Sequence, residues 1–137
     1  MMEMTVEHVQ GTDLVAILGL HGALDASNYM AVVAKARDLY EGGARRLLLD
    51  MREMSFMSSS GVVALHSIIR VFRGEQPHDP EAGWEVFHAI DRDRSSGMQT
   101  YVKILSPQPK VSLTLQKTGM DQFCEIHKDL STALSTF

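Results

Sequence analysis

Short apolar runs alternating with stretches of helical periodicity constrain this chain more than any other feature. Leu14–Leu20, Arg46–Asp50, Tyr101–Leu105 and Phe123–Ile126 are each too short for a buried helix and read as strands. Thr5–Gln10 is a further short run. Gly11-Thr12-Asp13 separates it from Leu14–Leu20 and suits a tight turn, which predicts a β-hairpin. Leu14-Val15-Ala16-Ile17-Leu18 is apolar throughout, the pattern of a strand covered on both faces. Gly22-Ala23-Leu24-Asp25 breaks that strand.

The intervening segments have another period. Tyr29, Val32, Val33, Ala36, Leu39 and Tyr40 recur at helical spacing, with Asp25, Ser27 and Asn28 as candidate caps and Gly42-Gly43 as the stop. Val62 to Phe72 is a strongly apolar helix ending near Arg73-Gly74, and Met51–Met57 before it reads as a loop with Met54 and Phe56 as apolar anchors. Val111, Leu113, Leu115 and Thr118 predict a short helix closed by Gly119. Asp129–Thr136 predicts a last one, with Leu130, Ala133 and Leu134 facing inward. Strands alternating with helices imply an α/β fold with a largely parallel sheet, made mixed by the hairpin. At 137 residues the chain suits one compact domain.

Gly74–Thr100 departs from this alternation, with two prolines, many charges and Ser95-Ser96-Gly97. Asp79-Pro80-Glu81 nonetheless supplies a cap, a first-turn proline and an acid at the positive helix end, predicting a short helix near Pro80–Asp91. Trp84 and Phe87 are expected to pin it to the domain, with an exposed binding patch as the alternative.

Charge and cysteine usage narrow the function. A net charge of −4 disfavours general nucleic-acid binding, which needs a basic surface. One cysteine, Cys124, excludes an internal disulfide framework and fits a reducing compartment. No apolar run approaches the roughly 18 residues of a membrane span, and Met1-Met2-Glu3-Met4 does not open a secretory signal. The expectation is a cytoplasmic protein that works without a membrane. The histidines show no ligand spacing with carboxylates or Cys124, so no metal or other cofactor is expected. Gly-x-Ser-x-Gly is absent, so the sequence offers no catalytic residue, and a serine hydrolase lacks motif support.

The informative motif is Ser58-Ser59-Ser60-Gly61, at the head of the apolar helix. N–H groups at a helix start lack internal partners, and the helix dipole favours negative charge there. Ser58 or Ser59 can cap the helix. The same geometry suits a phosphate carried by serine or an anion from outside, while Gly61 lets another chain approach closely. The chemistry alone leaves the plain cap and the phosphate site both open.

Phe56-Met57-Ser58-Ser59-Ser60-Gly61-Val62-Val63-Ala64-Leu65 resembles the central signature of STAS domains, in particular bacterial anti-sigma factor antagonists. Gly22-Ala23-Leu24-Asp25 resembles that family's Gly-x-Leu-Asp, and Val102–Phe137, with its turn Thr118-Gly119-Met120-Asp121, resembles the closing part. The order covers nearly the whole chain outside Gly74–Thr100. The resemblance implies one STAS domain over residues 1–137: a mixed, largely parallel sheet of four to five strands packed by helices, with an inserted helical segment at about 74–100.

It also implies a non-enzymatic role. Such proteins bind an anti-sigma factor that is usually also a serine kinase. Phosphorylation of one serine in the turn weakens the complex, and a PP2C-like phosphatase resets it. Alignment to the turn makes Ser59 the phosphoacceptor and Asp25, Ser58, Ser60, Gly61 and Val62 partner-binding residues, together with the exposed side of the Val62–Phe72 helix. Ser58 stands where many relatives carry an acid. Two other functions are open: an unphosphorylated scaffold in a signalling assembly, and an accessory module for small-molecule or lipid transport. His66 reads as a packed or hydrogen-bonded histidine.

Overall fold

A computed structural model describes residues 2–9, 14–81 and 85–137, with the side chain of Arg94 left out. The turn expected at Gly11-Thr12-Asp13 and the contact expected of Trp84 lie outside the described residues. In chain order the elements are β1 (Glu3–His8), β2 (Val15–Leu24), α1 (Tyr29–Glu41), β3 (Arg46–Asp50), β4 (Met54–Met57), α2 (Ser59–Phe72), α3 (Glu85–Ser95), β5 (Val102–Leu105), α4 (Pro109–Thr118), β6 (Ile126–His127) and α5 (Leu130–Ser135). A 3-10 turn, Met120–Gln122, joins α4 to β6.

The six strands form a mixed, mostly parallel sheet in the order β1-β2-β3-β5-β6, with β4 on the far half of β2. β1 runs antiparallel to β2, with Glu3 opposite His21 and His8 opposite Ala16. The other pairs are parallel. This is the α/β architecture expected, with β4 as the strand the sequence hides. Its four residues are buried, exposed, exposed, buried, so they show no period of two.

β2 does not stop at Gly22. Val15–Gly19 pairs with β3; the strand then bends at an irregularity between Gly22 and Ala23 and pairs with β4 up to Leu24. Gly22 has φ of 109°, a conformation that glycine adopts without strain, and it makes the bend.

Alternation along the central strands fills both faces. Ala16, Leu18, Leu47, Leu49, Val102 and Ile104 meet α1, α2 and α4 in the main core. Leu48 and Leu105 point to the opposite face, against Ala133 of α5. Lys103 also faces that side, fully buried. Its Nζ donates to the Thr136 carbonyl and hydroxyl at 2.8 and 2.7 Å and pairs with Glu125 at 3.3 Å, so the charge is satisfied. α5 starts as expected, with Asp129 accepting from the Thr132 N–H.

The helix of the inserted segment begins later than its start signal. Asp79 accepts from the Glu81 N–H in a turn, and α3 runs from Glu85 to Ser95. Val86, Ala89 and Ile90 form its buried stripe, whereas Phe87, expected to anchor it, is 37% exposed. The last strand is also displaced: Phe123 and Cys124 are buried before it, and β6 begins at Ile126. Among the described residues no helix is long and apolar enough to cross a membrane.

Candidate functional site

β2 and β4 lie parallel and end together at Leu24 and Met57, where α1 and α2 begin. Parallel α/β sheets present ligands and partners at this carboxyl end of their strands. The Ser58 N–H donates to the Leu24 carbonyl at 2.9 Å, which brings the serine turn beside Asp25.

The three serines are placed differently. Ser58 is the N-cap in extended conformation, and its Oγ accepts from the Gly61 N–H at 3.3 Å. Ser59 is the first residue of α2 and is exposed; Ser60 is half-buried. The first turn of α2 holds no acidic residue, so the positive end of the helix dipole has no side-chain counter-charge within it.

Asp25 organises the neighbouring turn rather than capping α1. Its Oδ1 accepts from the Ser27 hydroxyl and the Ser27 N–H, and these bonds hold its carboxyl below the usual carboxylate range. Asn28 occupies the N-cap position of α1, but its amide donates to the Ala23 carbonyl and its Oδ1 accepts from the Asp25 N–H.

Gly61 and Val62, expected as contact residues, are both buried in the free chain. A Cβ on Gly61 would stand 2.7 Å from Met57 Cγ and 3.1 Å from the Leu24 carbonyl oxygen. The close approach that requires glycine is thus made by the chain's own strand ends. Val62 is a core residue with no exposed surface. The expected outer face of α2 is likewise covered: beyond the first turn only Val63 and Arg70 are half-exposed, because α1 packs on one side and the inserted segment on the other.

That segment is held by a buried polar chain. His66 has no exposed surface, and its Nε2 lies 2.6 Å from Asp93 Oδ2 while its Nδ1 lies 2.6 Å from His78 Nε2. An ionised carboxylate only accepts, so Nε2 of His66 carries the proton and His78 donates to Nδ1. Arg73 donates to the same Asp93 oxygen at 3.2 Å, and the His78 N–H donates to Ser67 Oγ at 3.1 Å. Burial opposes charge on Asp93, but its bonds from His66 and Arg73 outweigh this and lower its pKa. Burial lowers the pKa of both histidines; that of His78, further depressed by His66 and Arg70, falls to about 4. Both rings are therefore neutral at neutral pH.

The segment also completes the surroundings of the turn. Ser59 and Ser60 share a cleft with Tyr29, Asp79, Pro80 and Phe87. None of these four stands near the serines in sequence: Tyr29 comes from the start of α1, and the inserted segment brings Asp79, Pro80 and Phe87 there. Phe56, read as an anchor, is 48% exposed just before the turn. Among the described residues no group of three or more His, Cys, Asp or Glu is placed to hold a metal ion.

Comparison with known proteins places this geometry. A family model for the STAS domain matches residues 5–76, more than half of the chain. A search of curated proteins finds no significant match. Three solved structures share the fold. An anti-sigma factor antagonist from Mycobacterium paratuberculosis is 16% identical, with a TM-score of 0.69 over 98% of this chain and 92% of that one. A candidate anti-sigma factor antagonist from Thermotoga maritima is 18% identical, with a TM-score of 0.70 over 96% and 92%. The Bacillus cell fate determinant SpoIIAA in its phosphorylated form is 19% identical, with a TM-score of 0.60 over 97% of each chain. With the signature turn at the head of α2 and the matched family model, the chain belongs to the STAS domain family.

Proposed function

We propose that the chain is an anti-sigma factor antagonist, a non-enzymatic single STAS domain with an insertion at about 74–100. It binds an anti-sigma factor that is also a serine kinase. Phosphorylation of Ser59 weakens the complex, and a PP2C-like phosphatase restores it. The observation that carries this reading is the division of labour in the turn: Ser58 caps α2, which leaves Ser59 exposed at its first position beside Asp25. The fold shared with SpoIIAA, solved in a phosphorylated form, supports it.

A phosphate on Ser59 adds a charge of about −1.5 to −2 and three acceptor oxygens. In a packed interface that charge must be desolvated or expelled. A loss of about 2.8 kcal/mol weakens binding about a hundredfold. The partner surface comprises Asp25, Ser58, Ser59 and Ser60, with Gly61 and Val62 supporting it from beneath.

The test is incubation with the cognate serine kinase and ATP. Wild type is expected to take up phosphate and Ser59→Ala to take up none; equal incorporation would overturn the site. Ser59→Asp is expected to weaken partner binding about a hundredfold, and unchanged affinity would overturn the switch. A second reading, a scaffold that binds without phosphorylation, is favoured by the exposed Phe56 and Phe87 near the turn. Stable assembly of Ser59→Ala with a partner that never phosphorylates the wild type would select it.

A further inference from the structure

We propose that the seam between α1 and the inserted segment is a docking groove for an apolar segment of a partner protein that carries an acidic side chain at one end. The inference rests on the reading of the serine turn as a partner contact, because the groove opens onto that turn. Met30 and Val33 of α1 form one wall, Pro77 and Pro80 the other, and Val63 of α2 the floor. Tyr29, Val63 and Pro80 also line the cleft of Ser59 and Ser60, so the two depressions adjoin.

The lining is apolar, and neither proline offers an N–H to water. Met30 is 56% exposed there, a large apolar side chain without cover. The second wall is fixed in advance. The His78 N–H is bonded to Ser67, and the His78 ring to His66, so the groove need not order itself on binding.

Charge selects the occupant. Arg37 stands at the end away from the serines. Its carboxylate partner is Glu41, at 3.3 Å and four residues on, with both side chains largely in solvent. Such an exposed pair is weak, so an incoming carboxylate can take the guanidinium. From Tyr29 to Arg37 the helix rises about 12 Å, the length of about four residues of extended chain. The family model stops at residue 76, just before the proline wall. One wall of the groove, Pro77 and Pro80, therefore lies beyond the matched region, where partner selectivity can be set without altering the turn.

The probe is a phage-displayed library of random dodecapeptides, selected on the full chain carrying Ser59→Ala. That background cannot be phosphorylated at Ser59, so failure of the groove and failure of the Ser59 switch are read separately. Enriched peptides are expected to pair apolar residues with a following Asp or Glu. In fluorescence anisotropy, Met30→Glu and Arg37→Glu, both at exposed positions, should each weaken binding about tenfold. Replacing the peptide acid with Lys should restore binding to Arg37→Glu. Circular dichroism confirms that the variants are folded. No enrichment above background, or peptides bound equally by both variants, would overturn the proposal.

Discussion

Ser58 and Ser59 are adjacent hydroxyls to which the backbone gives different partners. Ser58 Oγ accepts from the Gly61 N–H, so Ser58→Ala is expected to cost about 1 kcal/mol. Ser59 is exposed at the first helical position, and Ser59→Ala should stay within about 0.5 kcal/mol of wild type. Urea unfolding measures both; a neutral Ser58→Ala paired with a destabilised Ser59→Ala would reverse the assignment. Gly61→Ala extends the argument. Helix propensity favours alanine by about 1 kcal/mol, but overpacking costs about 1–3 kcal/mol. Met57 can swing aside; the Leu24 carbonyl cannot, because it also accepts from the Ser58 N–H. A net loss of about 1 kcal/mol is expected, and a more stable variant would show that the contact relaxes. The sequence places this turn correctly but does not divide its roles, because the cap depends on where the helix starts to within one residue.

The inserted segment shows how far local signals reach at the scale of an element. Asp79-Pro80-Glu81 reads as a helix start, yet Asp79 closes a turn and α3 is described from Glu85. Its anchoring depends on His66, His78, Asp93 and Arg73, which lie on different segments and form no motif. The network carries a pH prediction. Both histidines have folded pKa values below the unfolded value of about 6.5. The unfolded chain therefore binds more protons in this range, and stability rises with pH. The contribution is complete above about pH 6.5 and is lost as pH falls toward about 4, the value for His78. Arg70 and Arg73 face the pair and oppose its protonation; Asp93 favours it. The urea midpoint of wild type should fall across this window, and amide exchange in α3 should quicken. His78→Gln removes one titrating ring and can still donate to His66, so it should flatten the slope. Equal slopes in both proteins would place the acid sensitivity elsewhere.

The whole molecule was most legible where one strand or helix carries its own period. The hydrophobic runs locate β2, β3 and β5, and the helical stripes locate α1, α2, α4 and α5. Two things escape that reading. β2 continues past Gly22 and changes partner, a feature that depends on β4, whose four residues do not alternate. The outer face of α2 looks available in sequence and is covered in three dimensions by α1 on one side and by the stretch around His78 and Asp93 on the other. The partner surface we propose accordingly consists of the turn, Asp25 and the α1 seam. This arrangement separates binding from folding. Ser59 makes no core contact, and a negative charge at the first position of α2 meets the positive end of the helix dipole, a gain of about 0.3–1 kcal/mol. Asp79 across the cleft works against that gain. Ser59→Asp should therefore melt within about 3 °C of wild type while losing its partner. Scanning calorimetry of the free chain and titration against the kinase separate the two effects. A melting temperature lower by about 5 °C or more would mean that the charge acts by loosening the domain, and the interface account of the switch would fall with it.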